Sequence, residues 1–270
     1  MRDAAFKSVA VGFFDGVHLG HQKILRKADS ALTFGVHPLS VLAPDRAPDL
    51  IMPLEDRLAA IDRPTTVLDF TPELAALSPE DFAARHLAGR KVFCGANWNF
   101  GKDGAGDAEW LRARGYEVEI VDYAEYGGER ISSSRIRACL SRGELDDVSA
   151  MLGRRYALTG PVVQGKGLGT QMGFPTVNVQ PSVELALARG VYEVDVAGCR
   201  GLANYGLAPT MGDRAWTKPV LEVHFTHAVP DIQLSRLRVE FLRFIRPERS
   251  FGSVEQLRAQ IAEDVRTVAG

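Results

Sequence analysis

The chain has 270 residues, of which 46% are hydrophobic and 24% charged, with a formal net charge of -2. That length exceeds one typical domain, and the near-balanced charge gives no global attraction to nucleic acid or a membrane surface. Cys94, Cys139 and Cys199 form an odd set without a C-x-x-C pair, which argues against a disulfide framework or zinc ribbon and suits a reducing compartment.

Met1–Lys7 lacks the apolar run of a signal peptide, and no segment reaches the roughly 18 apolar residues of a membrane span. A cytoplasmic chain with no membrane partner is therefore expected. Ser8–Val11 reads as a buried strand and Gln22–Arg26 as helix. Between them lies Gly12-Phe13-Phe14-Asp15-Gly16-Val17-His18-Leu19-Gly20-His21. Residues three apart on a helix share a face, so His18 and His21 can address one bound group. Free N–H groups at a helix start favour anions, and neutral imidazoles donate hydrogen bonds to phosphate oxygens. A bare H-x-x-H also suits capping or a stray metal. The glycines and Asp15 at a strand-to-helix turn point instead to phosphate.

Strands are expected at Ala31–Phe34, Thr66–Leu68, Lys91–Cys94 and Glu117–Val121, with helices at Leu54–Ile61, Pro79–Leu87 and Asp107–Arg114. This alternation predicts an α/β domain around a parallel sheet. Ser78-Pro79-Glu80-Asp81 has a capping serine, proline at the first helical position and acids in the first turn. Further on, Ser132, Ser133 and Ser134 precede Arg135 and Arg137 at a helix start, a second place suited to phosphate. Serine clusters cap helices for structural reasons as well. Helices Ser134–Arg142 and Glu144–Leu152 close at Gly143 and Gly153, and a domain boundary is expected near Gly153, dividing the chain into 1–153 and 154–270.

From Tyr156 onward the texture changes. Period-two alternation in Gly190–Val196, Leu221–Phe225 and Leu237–Leu242 predicts a small antiparallel β-barrel. A terminal amphipathic helix follows. Ser253 and Gln256 have capping-box spacing, and Val254, Leu257, Ile261, Val265 and Val268 form an apolar stripe expected to pack on the barrel. Gly165, Gly167, Gly169 and Gly173 surround Lys166 in a loop whose backbone N–H groups can approach a polyphosphate, although no Walker A spacing is present. Pro175-Thr176-Val177-Asn178 comes next. Thr176 and Asn178 share one face of an extended segment and offer oxygen ligands suited to Mg²⁺ held chiefly by substrate phosphates. Glu222 on its own reads as an outward strand residue in an ion pair.

These stretches resemble a known family. The G-F-F-D-G-V-H-L-G-H and I-S-S-S-R-I-R motifs are similar to those of the nucleotidyltransferase superfamily. More narrowly they resemble the N-terminal half of the bacterial bifunctional riboflavin kinase/FAD synthetase family. Thr33-Phe34 with His37-Pro38, Leu77–Phe82 and Gly95–Gly101 support that likeness. Pro175–Asn178 (P-T-V-N for the usual P-T-A-N), Asn204–Thr210, Leu221–His224 and Ile245–Phe251 resemble its riboflavin kinase module.

The resemblance implies a Rossmann-like nucleotidyltransferase domain and a riboflavin kinase-like barrel. It further implies ATP, riboflavin and FMN as small-molecule partners and Mg²⁺ as cofactor. By this likeness Gly12, Phe13, Phe14, Asp15, Gly16, Asn97 and Ser132 bind the ATP that donates AMP to FMN. His18 and His21 contact the reacting phosphate, while Ser133, Ser134, Arg135 and Arg137 hold the β- and γ-phosphates. In the kinase half Gly165, Lys166, Gly167, Gly169, Gly173, Pro175, Thr176 and Asn178 bind a second ATP, with Thr176 and Asn178 on the metal. Glu222 is the implied general base and, with Arg246, contacts the flavin.

The chain departs from the family at several places. Only eleven residues, Gln22 to Leu32, separate His21 from Thr33, which requires a short first helix and second strand. Gly35-Val36 stands where an acid and a proline are usual, and Thr226-His227-Ala228 with Gln233-Leu234 replaces the usual stretch after the base. Two alternatives stay open at this level: a riboflavin kinase with a weakened adenylyltransferase domain, and a non-catalytic flavin- or nucleotide-binding regulator.

Overall fold

The computed structural model describes residues 6–164, 176–206, 219–225 and 235–268. By its contacts the chain divides into two compact units: Met1–Pro48 with Leu54–Ser133, and Asp49–Pro53 with Ser134–Gly270.

The first unit follows the predicted alternation. Its elements are β1 (Ser8–Val11), α1 (Leu19–Leu25), β2 (Ala31–Phe34), α2 (Leu39–Leu42), α3 (Leu54–Ile61), β3 (Thr65–Leu68), α4 (Pro72–Ala75) and α5 (Pro79–His86). Then come β4 (Lys91–Gly95), α6 (Ala108–Arg112), β5 (Val118–Val121) and a small hairpin of β6 (Glu125–Tyr126) and β7 (Glu129–Arg130). The strands β3-β2-β1-β4-β5 form one sheet in that order, and every adjacent pair is parallel. Order reverses on either side of β1, a topological switch point, and ligands of open α/β sheets bind beyond the carboxyl ends of strands at such a point. Val9, Val11, Leu32, Val92 and Cys94 form a buried core with Phe82, Leu87, Phe100 and Leu111 from the surrounding segments. The short His21–Thr33 spacing yields α1 of seven residues and β2 of four.

Local chemistry sets the ends of these elements. Ser78 Oγ accepts the Asp81 N–H at 3.0 Å and starts α5 as its sequence requires. Asp107 Oδ1 accepts the Trp110 N–H at 2.7 Å, so Asp107 caps α6 from outside instead of forming its first residue.

The second unit holds α7 (Ser133–Arg142, from Ser134 onward) and α8 (Leu145–Leu152). Gly153, at φ 71°, ends α8 in the left-handed conformation that favours glycine. Strands β8 (Ala157–Val163), β9 (Thr176–Val179), β10 (Gly190–Val196), β11 (Cys199–Gly206), β12 (Val220–Phe225) and β13 (Arg236–Pro247) follow. They close into a barrel in the order β10-β11-β12-β9-β8-β13. Each adjacent pair with a described register is antiparallel. Tyr156, Tyr192 and Phe241 pack together in its interior. Residues 49–53 also belong here: Leu50 bridges Leu185, and Tyr156 Oη donates to the Ile51 carbonyl at 2.8 Å.

The terminal helix α9 (Val254–Arg266) is capped by Ser253, whose Oγ accepts the Gln256 N–H at 3.3 Å. Gln256 Oε1 reaches back to the Gly252 N–H at 3.0 Å, one residue earlier than a standard capping box. Val265 and Val268 pack with Val191, Leu202 and Ile245, so this part of the stripe covers the barrel. A buried ion pair, Arg246 Nη2 to Asp264 Oδ2 at 2.7 Å, fastens the helix to β13.

Candidate functional site

In the first unit, β1 ends at Val11 and the chain turns sharply before α1. Phe14 (φ 57°) and Val17 (φ 42°) both adopt left-handed backbone, which is costly for a bulky or β-branched residue. Strain of this kind costs on the order of 1–3 kcal/mol per residue and gathers where geometry serves function. Gly16, at φ 83°, takes the same region at no steric cost. The turn buries Asp15 and His18, which are 2% and 5% exposed.

His18 is the N-cap of α1, and its Nδ1 accepts the His21 N–H at 3.3 Å. That bond occupies the Nδ1 lone pair, so a neutral His18 ring carries its proton on Nε2 and donates from there. The two imidazoles stack with centroids 3.6 Å apart and an interplanar angle of 18°. Phe14 meets His21 edge-on at 5.3 Å. Ser133 Oγ donates to the Asp15 carbonyl at 2.9 Å, bringing the start of the serine–arginine motif onto the histidine turn. Asn97 lies in the turn after β4, where its Oδ1 accepts from Arg130 at 3.1 Å. Ser132 is half-buried beside Ser133.

Ser134, Arg135 and Arg137 fall in the second unit. There Arg137 lines a cavity of about 360 Å³ with Asp49, Ala138, Ser141 and residues 185–188.

Arg57 on α3 is a further residue of the β1 turn that no sequence motif marks. Its Nη1 donates to the Phe13 carbonyl at 2.7 Å, and its Nη2 donates to the Phe34 and Gly35 carbonyls at 2.6 and 3.3 Å. The guanidinium carbon sits 4.0 Å from the centroid of the Phe13 ring. Burial pushes the Arg57 pKa down to about 10, partly offset by the Asp15 charge, and leaves it cationic at neutral pH. In Leu54-Glu55-Asp56-Arg57 it follows two acids, a local pattern that does not mark it as buried. A hydrophobic periodicity that puts position 57 on the inward side of α3 was the one signal that could have revealed it.

In the second unit the kinase candidates meet on one face of the barrel. Glu222 is opposite Asn178 of β9 on one side and Asn204 of β11 on the other. Thr176 Oγ1 donates to Glu222 Oε1 at 2.8 Å. Leu221, Val223 and Phe225 are buried while Glu222 and His224 are only half-buried, so Glu222 is on the outward side of β12. Thr176, Asn178 and Glu222 form an all-oxygen donor group, a chemistry that suits a hard divalent cation.

Asn204 also hydrogen-bonds Glu248, whose carboxyl is raised by burial against the lowering effects of Arg189 and Asn204. Arg246 has its Nε and Nη2 on Asp264. Gly165, Lys166, Gly167, Gly169, Gly173 and Pro175 lie outside the described residues, as do Thr226-His227-Ala228 and Gln233-Leu234.

Among the described residues, Cys139, Glu144 and Asp147 also cluster at metal-ligand distances. Arg142 already occupies that cluster, with Nη2 at 2.6 Å from Glu144 and 3.6 Å from Cys139 Sγ.

Comparison with known proteins finds a family match for each part of the chain. Residues 2–135 match the family model for FAD synthetase, and residues 152–269 match that for riboflavin kinase. A bifunctional riboflavin kinase/FMN adenylyltransferase from Bacillus subtilis is 32% identical, the alignment covering 98% of this chain and 92% of that protein. Its counterpart from Escherichia coli K12 is also 32% identical, over 96% of this chain and 90% of that one. A crystal structure described as a macrolide-efflux protein from Streptococcus pneumoniae superposes with a TM-score of 0.79 at 28% identity, covering 99% of this chain and 95% of the other.

Proposed function

The chain belongs to the bifunctional riboflavin kinase/FMN adenylyltransferase family and is an ATP-dependent enzyme of flavin conversion, and we propose how its residues divide that chemistry. The functional division lies near Gly153, with FMN adenylylation in 1–153 and riboflavin phosphorylation in 154–270.

In the kinase half Glu222 accepts the proton of the ribityl 5′-hydroxyl. The hydroxyl oxygen bonds to the γ-phosphorus of ATP as the bond to the β–γ bridging oxygen breaks, leaving FMN and ADP. Phosphoryl transfer is loose, so the base chiefly orients the hydroxyl. Thr176 positions the Glu222 carboxylate through its 2.8 Å hydrogen bond, and with Asn178 it would hold Mg²⁺. That ion would supply charge neutralisation on the ATP phosphates. Gly165, Lys166, Gly167, Gly169, Gly173 and Pro175 bind the ATP phosphates, and Arg246 contributes to the flavin side.

In the adenylyl-transfer half a phosphate oxygen of FMN bonds to the α-phosphorus of ATP as pyrophosphate leaves. No protein nucleophile is required. The Nε2–H of His18 and the stacked His21 donate to the reacting phosphate, within the turn built from Gly12, Phe13, Phe14, Asp15 and Gly16. Asn97, Ser132 and Ser133 hold the remainder of the nucleotide within the first unit.

The observation that carries this reading is the Thr176–Glu222 hydrogen bond with Asn178 in register opposite Glu222. The test is to incubate the purified chain with riboflavin, ATP and Mg²⁺ and to resolve the products by chromatography. FMN followed by FAD supports it; FMN alone supports a kinase without adenylylation; no product supports a binding-only regulator. We also place the enzyme in the cytoplasm. Among the described residues no helix is long and apolar enough to cross a membrane, and cysteine usage suits a reducing environment.

A further inference from the structure

Arg57 is the largest fully buried side chain of the first unit and bears a full charge at neutral pH, yet the chemistry above assigns it nothing. Removing such a charge from water costs several kcal/mol unless its surroundings repay it. The repayment here has an unusual form. The hydrogen-bond partners of its terminal nitrogens are main-chain carbonyls, at Phe13, Phe34 and Gly35. Phe13 lies in the turn after β1, while Phe34 and Gly35 lie where β2 ends. These two strands are neighbours at the carboxyl edge of the sheet, so one rigid fork spans both strand ends.

The same side chain also fixes the Phe13 ring. Its guanidinium lies 4.0 Å from one side of that ring, and His37 meets the ring edge-on at 4.8 Å. Thr33 Oγ1 adds a second bond to the Phe13 carbonyl at 3.0 Å. The Phe13 carbonyl thus receives two donors, and two residues later Asp15 feels the Arg57 charge. Asp15 in turn receives Ser133 at its carbonyl and precedes His18 by three residues. A shift of the guanidinium therefore moves the backbone that carries the stacked histidines.

We propose that Arg57 is a positioning residue for adenylyl transfer, a three-carbonyl clamp that fixes the strained β1 turn against the end of β2 and thereby aims His18 and His21. This rests on the reading of the first unit as the FMN adenylylation site. Lysine at this position keeps the charge but not the planar fork, so it cannot span the three carbonyls. Methionine keeps much of the volume and loses both charge and donors.

The experiment compares full-length wild-type, Arg57→Lys and Arg57→Met chains. It measures kcat and KM for FAD formation from FMN and ATP, FMN formation from riboflavin as an internal control, and the thermal melting profile. In Arg57→Lys, kcat for FAD formation should fall at least tenfold per folded molecule, with KM for ATP within threefold and FMN formation within twofold of wild type. Arg57→Met should fall further where it folds. If Arg57→Lys lowers the melting temperature but retains wild-type kcat per folded molecule, the residue is only architectural and the proposal is overturned. Equal loss of FAD and FMN formation overturns it as well. A wild-type chain that makes FMN but no FAD would overturn the adenylyl-transfer reading, and this proposal with it.

Discussion

Thr176 and Glu222 are joined across neighbouring strands of the barrel by a 2.8 Å hydrogen bond, from the threonine hydroxyl to one carboxylate oxygen. One donor fixes the carboxylate rotamer, while the other oxygen keeps its capacity to accept. A base that mainly orients a hydroxyl needs that arrangement. Glu222→Gln should therefore lower riboflavin phosphorylation more than tenfold, about 1.4 kcal/mol of barrier. FAD formation from supplied FMN should stay within twofold. A smaller loss of kinase activity, measured by steady-state FMN production, would remove Glu222 from the role of base.

The histidine pair makes the reciprocal prediction. Removing a donor aimed at developing charge costs roughly 10²–10³ in kcat. His21→Ala should suppress FAD formation on that order and leave FMN formation near normal. Parallel decline of both activities would show that the two sites are not independent.

The start of β1 is pinned by Asp29, whose carboxylate accepts the Lys7 and Ser8 N–H groups and the Ser8 hydroxyl, each at 3.0 Å. Desolvation is the largest single influence and raises its pKa, but the hydrogen bonds from Lys7 and Ser8 together outweigh it and the net shift is downward from the ordinary 3.8. A carboxyl depressed by folding stabilises the native state above its unfolded pKa, and that contribution disappears as pH falls through its folded value. Asp29→Asn should lower stability at pH 7 by less than about 1 kcal/mol, since the site is exposed. The difference from wild type should shrink in thermal melts taken below the ordinary aspartate range.

Arg246 and Asp264 are 12% and 5% exposed, so removing one partner strands a buried charge. Asp264→Ala should cost about 3–5 kcal/mol and loosen α9 from the barrel. Differential melting, or protease cleavage near residues 253–266, would register the change. A melting profile identical to wild type would mean that the pair contributes nothing to holding the helix.

The cysteines give a chemical check on the core. Burial pushes the Cys94 thiol up to about 11, against a small lowering by Arg112, and Cys139 is also raised, first by burial and then by Glu144. Thiolate is the reactive form, so both should resist iodoacetamide near pH 8 until the chain unfolds. Cys199 is partly exposed on the barrel and should label first, as mass spectrometry of the native protein would show.

Much of this architecture is legible in the residues because short apolar runs in a parallel sheet leave little choice of register. β1 and β2 occupy the predicted bounds, and β3, β4 and β5 differ by one residue at an end. Capping residues fixed the helix starts, with Asp107 displaced to the cap position by its bond to Trp110. β13 runs through Pro247, five residues beyond the predicted alternation, because pairing with β10 continues across bulges that break period two.

What resisted reading was long-range. Arg57 resembles a surface arginine until the carbonyls of Phe13, Phe34 and Gly35 are brought to it by the sheet. Residues 49–53 join the second unit through Leu185, a partner 135 positions away that no local pattern announces. The left-handed backbone at Phe14 and Val17 contradicts local preference, as strained functional turns do.

The most direct test of the central claim, two triphosphate-using sites with separate machinery, is the chromatographic time course from riboflavin, ATP and Mg²⁺ using wild type beside Glu222→Gln and His21→Ala. Wild type should accumulate FMN and then FAD with pyrophosphate. Glu222→Gln should stall at riboflavin yet convert added FMN, and His21→Ala should stop at FMN. Riboflavin left unchanged by wild type, or FAD formed at undiminished rate by His21→Ala, would contradict the account.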